Sequence, residues 1–252
     1  MYAIIGGSGL AKLSALSNVR RQVMRTPYGE PSGALTFGSF GGHEVVFLAR
    51  HGYGHTIAPH EINYRANIWA LKELGVSGIL AVATVGGIRL DYGPGSLVVP
   101  HQIIDYTHGR AATFFQGSEA AVVHADFTHP YSQRLRKLLL DAAARCNEPV
   151  FDGAVYACTQ GPRLETAAEI ERIARDGGDL VGMTGMPEAA LAREADLEYA
   201  ALAVVVNHAA GRGSSAQRIE LKELDEVMRT TVTRAVCVLE KAVAPAVPVG
   251  AA

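Results

Sequence analysis

The stretch that most constrains the fold is residues 179–211, DLVGMTGMPEAALAREADLEYAALAVVVNHAAG, because it holds two apolar runs that each end in small polar residues. Residues 199–206 are almost wholly apolar, the pattern of a strand covered on both faces by other elements of an α/β fold. The shorter run, Leu180 and Val181, stops at Gly182-Met183-Thr184-Gly185, where small residues leave room for a ligand beside the backbone and Thr184 offers a hydroxyl. Pro187 suits the first turn of a helix, having no N–H to lose there, and residues 188–194 carry that helix. Asn207 ends the second strand. Ligands of open α/β sheets sit at the carboxyl ends of the strands. Met183, Thr184 and Asn207 are therefore expected to face one pocket, although Thr and Asn also cap loops in purely structural roles.

The same motif of a strand running into polar residues recurs along the chain. Residues 2–5 form a short strand that meets Gly6-Gly7-Ser8-Gly9, a turn able to cradle an anion with its backbone. It is neither a dinucleotide fingerprint, since Lys12 replaces the third glycine, nor a hydrolase elbow, since Leu10 follows Gly9. Residues 44–49, EVVFLA, end at Arg50-His51, two potential cations at a strand terminus; Arg50 can fork onto phosphate or sit in an ordinary ion pair. His60-Glu61 begins like a metalloprotease motif, but Asn63-Tyr64 stands where the second histidine is required, so no metal is expected. A helix over 63–74 leads to a strand over 78–83 that ends at Thr84-Val85-Gly86-Gly87. Strands over 96–100, 102–106 and 154–159 and helices over 131–145, 167–175 and 221–242 complete the reading. Residues 107–130 have the composition of an ordered loop packed against something, a subunit interface being one option, and residues 208–220 read as a loop or lid.

Composition narrows the partners. With 252 residues and a formal net charge of −2, the chain has no basic excess to neutralise nucleic-acid phosphates or an anionic membrane. No segment supplies a membrane-spanning apolar run and the start lacks the pattern of a signal peptide, so a cytoplasmic protein with a small-molecule ligand is expected. Cys146, Cys158 and Cys237 show no CxxC spacing and read as buried fillers rather than disulfide or zinc partners.

Ser8, Arg50, His51, Thr84, Met183, Thr184 and Asn207 all follow predicted strands, so one sheet can converge them. Donors without a P-loop lysine, a general-base carboxylate or an obvious nucleophile suit a reaction in which an anion attacks and the protein positions it. Phosphorolysis fits that description.

The segments IIGGSGL, ARHGYGHTIAPHEINYRANIWALKELG, VYACTQGPRLET and DLVGMTGMPEAALARE resemble the trimeric purine nucleoside phosphorylase superfamily, in particular its methylthioadenosine and methylthioinosine phosphorylase branch. The resemblance covers residues 2–242. It implies one α/β domain over 1–244 with a twisted, partly barrel-like mixed sheet flanked by helices; Pro245 and Pro248 mark a frayed tail over 245–252. It also implies a homotrimer that uses inorganic phosphate as co-substrate without metal or cofactor. Carried over by motif, Ser8, Arg50, His51 and Thr184 resemble phosphate ligands. Thr84 or a backbone N–H is expected to compensate for Ala83, which stands where adenosine-type enzymes place a threonine. Met183 matches the residue that packs on the ribose, Leu164 stands where an aromatic covers the base, and Glu165, His208 and Ala209 belong to the same substrate pocket. Leu221 falls where the family holds the 5'-group, or else is plain core, and His124 is expected to reach a neighbouring subunit's site.

Asn207 stands where adenine-specific relatives carry aspartate. An amide can donate to N7 or O6 of a purine, which an ionised carboxylate cannot, so Asn207 favours a 6-oxopurine and is the expected catalytic group with Arg50 and His51. The leading expectation is phosphorolysis of S-methyl-5'-thioinosine. The alternatives are a general inosine and guanosine phosphorylase, a methylthioadenosine phosphorylase, or a nucleoside-binding protein on the same scaffold.

Overall fold

The computed structural model describes residues 1–117 and 121–244, apart from the side chains of residues 221–223. In chain order the strands are β1 (Tyr2–Gly6), β2 (Ser17–Gln22), β3 (Leu35–Phe40), β4 (His43–Ala49), β5 (Ile79–Gly87), β6 (Leu97–Val99), β7 (Gln102–Asp105), β8 (Val150–Asp152), β9 (Val155–Cys158), β10 (Leu180–Gly182) and β11 (Tyr199–His208). The helices are α1 (Tyr64–Glu73), α2 (Gln133–Arg145), α3 (Ala167–Arg175), α4 (Gly185–Glu194) and α5 (Leu221–Val243).

These strands make one mixed sheet with β5 at its hub. β5 runs parallel to β1 and β11 and antiparallel to β10 at Gly86 and Gly87. From β1 the sheet continues through β4, β3 and β2, from β10 through β9 and β7, and from β11 through β6 and β8. A strand with three partners forces the sheet to branch, in keeping with the mixed, partly barrel-like sheet implied by the resemblance.

Successive side chains of a strand point to opposite faces, and here both faces are covered, which is why β1, β5 and β11 read as continuous apolar runs. Ile5, Ile79, Ala81 and Tyr199 join one core with Ile68 and Leu71 of α1 and Leu191 of α4. Ile4, Leu80, Leu202 and Val204 join a second with Leu135 and Leu139 of α2 and Leu239 of α5. Each fully buried Leu or Ile contributes about 1.5–3 kcal/mol. Helix starts follow their sequence signals: Asn63 and Ser132 accept from the N–H of Ala66 and Leu135, and Thr166 and Glu169 form a reciprocal capping box.

Three strands lie where the sequence pattern predicts none. β2, SNVRRQ, is exposed and charged because it is an edge strand, where charge discourages pairing with another chain. β3 follows the same meander, and β8 is too short to show a period. At α4, Met186 is extended (φ −120°, ψ 139°), so the regular turn begins at Pro187 as expected. Residues 208–220 contain a short 3-10 turn, Gly213–Ser215, with Ser215 buried. The aromatic loop after β7 packs Phe114 and Phe127 on the core, and Glu194 accepts from the Phe114 N–H and the Thr113 hydroxyl at 2.8 and 3.0 Å. Cys158 is buried as expected, whereas Cys146 is half-buried and Cys237 exposed. The tail over 245–252 lies outside the described residues. Among those described, no helix is long and apolar enough to cross a membrane.

Candidate active site

The ends of β1, β4, β5, β10 and β11 open into one cavity of about 650 Å³. Ser8, Arg50, His51, Thr84, Leu164, Glu165, Met183, Thr184, Asn207 and Ala209 all line it, so the sheet converges most of the residues singled out from the sequence. β1, β4, β5 and β11 are parallel and bring their carboxyl ends there directly. β10 runs the other way, and the register that pairs Val181 with Gly86 returns Met183 and Thr184 alongside the end of β5.

At one end of the cavity the backbone turns at Gly7, where a Cβ would meet the Val82 carbonyl oxygen at 2.7 Å and Arg50 Nη1 at 3.0 Å. Glycine there is a requirement of close approach. Arg50 is almost fully buried, and its Nε and Nη2 donate to Glu188 at 2.6 and 2.7 Å while Nη1 donates to the Val82 carbonyl at 3.0 Å. Glu188, with no exposed surface, also accepts from the Tyr199 hydroxyl at 2.8 Å. Burial opposes the charge on Arg50, but the adjacent Glu188 outweighs it and holds the guanidinium above its ordinary pKa. Of the five guanidinium hydrogens, these bonds leave one on Nη1 and one on Nη2 for an anion.

His51 Nδ1 lies 2.8 Å from the Ile57 carbonyl oxygen. A carbonyl only accepts, so Nδ1 carries the proton. Burial, then the neighbouring Arg50 charge, pushes the ring down to about 4 against the opposing Ile57 bond. The two potential cations thus correct to one neutral imidazole, whose Nε2 is an acceptor, and one guanidinium already paired with a carboxylate. An anion entering here meets hydroxyls, amides and a balanced ion pair rather than bare positive charge. Thr184 heads α4 without making a side-chain capping bond, and its N–H donates to the Tyr156 hydroxyl at 3.3 Å. Gly182 lines the cavity, and the ring of Tyr156 lies against both Gly182 and Gly185, occupying the space of their missing side chains.

Asn207 sits at a β-bulge where the register of β11 against β5 shifts, and it pairs with Gly86. Its Nδ2 donates to the His208 carbonyl at 2.6 Å. Glu165 accepts from the Thr159 hydroxyl at 2.6 Å, and Leu164 is partly exposed on the wall. His208 faces elsewhere: its Nδ1 is 3.0 Å from the Ser214 hydroxyl and accepts the Ser214 N–H, and it is absent from the cavity lining. Strand alternation after Asn207 turns it away. His124 is exposed and is not among the cavity residues of this chain. Leu221 begins α5, but its side chain lies outside the described residues; Ile219, Leu224, Asp225 and Met228 form that wall.

Three residues with a part in the site were not singled out from the sequence. Glu188 carries a legible signal, an acid in an otherwise apolar helical run opposite a strand-end arginine. His55 lines the cavity with left-handed φ of 52°, its ring centroid 4.6 Å from that of His51 and its Nε2 3.4 Å from the Ser8 hydroxyl. Arg110 carries no periodic signal. It donates to the carbonyls of Met183, Met186 and Gln160 at 2.9, 2.5 and 2.8 Å, tying the loops after β9 and β10 together.

Residues 1–244 match the family model of the phosphorylase superfamily. The chain is 55% identical over 230 residues to a probable S-methyl-5'-thioinosine phosphorylase of Pseudomonas syringae pv. tomato, covering 91% of this chain and 92% of that one. It is 48% identical over 232 residues to a 6-oxopurine nucleoside phosphorylase of Pyrococcus furiosus, covering 90% of this chain and 86% of the relative. Among solved structures, methylthioadenosine phosphorylase from Schistosoma mansoni in complex with adenine superposes with a TM-score of 0.91 at 34% identity, covering 96% and 90% of the two chains.

Proposed function

The chain belongs to the phosphorylase superfamily, and from that membership we propose that it cleaves S-methyl-5'-thioinosine with phosphate to hypoxanthine and 5-methylthioribose 1-phosphate. It is an enzyme, a pentosyltransferase of the purine nucleoside phosphorylase type. The observation that carries the substrate reading is Asn207 on the cavity wall. In this reading phosphate lies among Ser8, Arg50, His51, Thr84 and Thr184, with the ribose over Met183 and the base between Glu165 and Asn207. Negative charge grows on the purine as the glycosidic bond breaks and the ribose becomes cation-like. An amide that donates there binds the transition state better than the ground state. The phosphate is already in place, so the attack is effectively intramolecular.

Inorganic phosphate is the only co-substrate in this account, with no metal or organic cofactor. The active form is a cytoplasmic homotrimer in which His124 approaches a neighbouring site. A second reading, phosphorolysis of inosine or guanosine, is favoured by Asp225, which lines the cavity beside Leu224 and Met228 and can accept from a 5'-hydroxyl.

The test is base release from methylthioinosine, methylthioadenosine, inosine and guanosine with and without phosphate, with the sugar product identified. Release that requires phosphate and yields a sugar 1-phosphate supports the proposal. Equal rates in phosphate-free buffer refute it.

A further inference from the structure

Helix α2 ends at Cys146 and helix α5 passes it at Cys237, and the two Sγ atoms are 2.8 Å apart although both cysteines are free. The thiols are held face to face by the packing of their helices. Leu135, Leu139 and Ala142 of α2 and Val238, Leu239 and Ala242 of α5 share one buried core, and the Cys146 N–H is bonded to the carbonyls of Ala142 and Ala143. One partner is open to solvent and the other half-buried, the arrangement of an attacking and a resolving thiol. Cys158, fully buried elsewhere, has no part in it.

We propose that Cys146 and Cys237 form a reversible disulfide site, closed by exchange with a small-molecule disulfide such as oxidised glutathione. The exposed Cys237 attacks first as its thiolate, forming a mixed disulfide and releasing one glutathione thiolate. Cys146 then gives up its proton and attacks the Cys237 sulfur, the protein S–S bond forms, and the second glutathione leaves. Two protein thiols are oxidised by two electrons, one glutathione disulfide is reduced to two thiols, and the two protons go to the leaving thiolates. Exposure makes Cys237 the first attacker, while burial, and then Cys237 itself, push Cys146 up to about 12.

The bridge joins residues 91 apart in sequence and clamps α5 to α2. Closing a loop of that length removes much entropy from the unfolded chain and so stabilises the folded one. Cys237 lies nine residues beyond Met228, about 14 Å along the helix from the cavity wall, so base release is expected to be unchanged by the bridge.

The experiment treats the reduced full-length protein with oxidised glutathione, alkylates the remaining thiols and maps peptides without reduction. The expected result is a Cys146–Cys237 cross-linked peptide pair lighter by two hydrogens than its parts. An upward shift in melting temperature should accompany it, reversed by dithiothreitol and absent in Cys146→Ser and Cys237→Ser. A stable glutathione adduct on Cys237 without the cross-link, or both cysteines fully alkylated after oxidation, overturns the site. Cross-linked protein with an unchanged melting temperature overturns the clamp.

Discussion

Replacing Glu188 with Gln keeps the shape of the side chain but removes the charge that holds Arg50. In the native protein the carboxylate accepts both Arg50 bonds and the Tyr199 hydroxyl, with no access to water. An amide can satisfy at most part of that set, and its NH2 opposes the guanidinium donors. Breaking a buried pair by neutralising one partner costs about 3 kcal/mol or more, because the remaining charge stays buried without its counter-ion. For a chain of this size that corresponds to a drop in melting temperature of roughly 6–12 °C. The unpaired guanidinium then finds its counter-ion in phosphate, so saturating phosphate should raise the melting temperature of the variant by more than that of the wild type, through binding to the folded state alone. Thermal unfolding of both proteins in zero and saturating phosphate measures this. The double variant Arg50→Met with Glu188→Met should recover stability, since an apolar pair of similar volume is often neutral, but lose the response to phosphate. A Glu188→Gln protein that melts with the wild type and responds equally to phosphate would refute the coupling of Glu188, Arg50 and the anion.

Three further expectations follow from the same geometry. Arg110→Met should lower kcat/KM for the nucleoside by about 10–100-fold, the worth of charge-assisted bonds of about 1.5–3 kcal/mol, in steady-state assays at saturating phosphate; an unchanged value removes Arg110 from a positioning role. Because the folded protein holds His51 down at about 4, the unfolded chain binds more protons between about pH 6.5 and 4. Stability contributed by the neutral ring is thus complete above that window and lost as pH falls through it, by up to about 3 kcal/mol. Urea unfolding across the range should show a slope that His51→Gln flattens, and equal slopes contradict it. Asn207→Asp should move the adenine-to-hypoxanthine preference by at least about tenfold towards adenine, read as relative kcat/KM on the two methylthionucleosides; an unmoved ratio assigns base selection elsewhere.

Much of the site was legible because strand ends in an α/β sheet announce themselves. Ser8, Arg50, Thr84, Met183, Thr184 and Asn207 each follow an apolar run, and the cavity collects them. What sequence could not supply was the far side of each contact. Spacing leaves Arg50 open between an anion ligand and an ion pair because its carboxylate partner is 138 residues away, and it leaves His51 chargeable because the Ile57 carbonyl that fixes its tautomer has no trace in spacing. In GMTG the ring of Tyr156, from another strand, adds a demand for glycine that spacing does not show: it fills the side-chain space of Gly182 and Gly185, while Gly182 also lines the cavity. β2 escaped notice because an edge strand of SNVRRQ has no apolar face to reveal it. Arg110 was invisible for a related reason: it serves backbone carbonyls, and carbonyls have no sequence.

The central claim is that a phosphate-dependent site reads a 6-oxopurine through Asn207. It is tested most directly by giving the wild-type protein equimolar methylthioinosine and methylthioadenosine together with phosphate, and following hypoxanthine and adenine by chromatography. Hypoxanthine is expected first, and neither base is expected when phosphate is omitted. Adenine released ahead of hypoxanthine would contradict it.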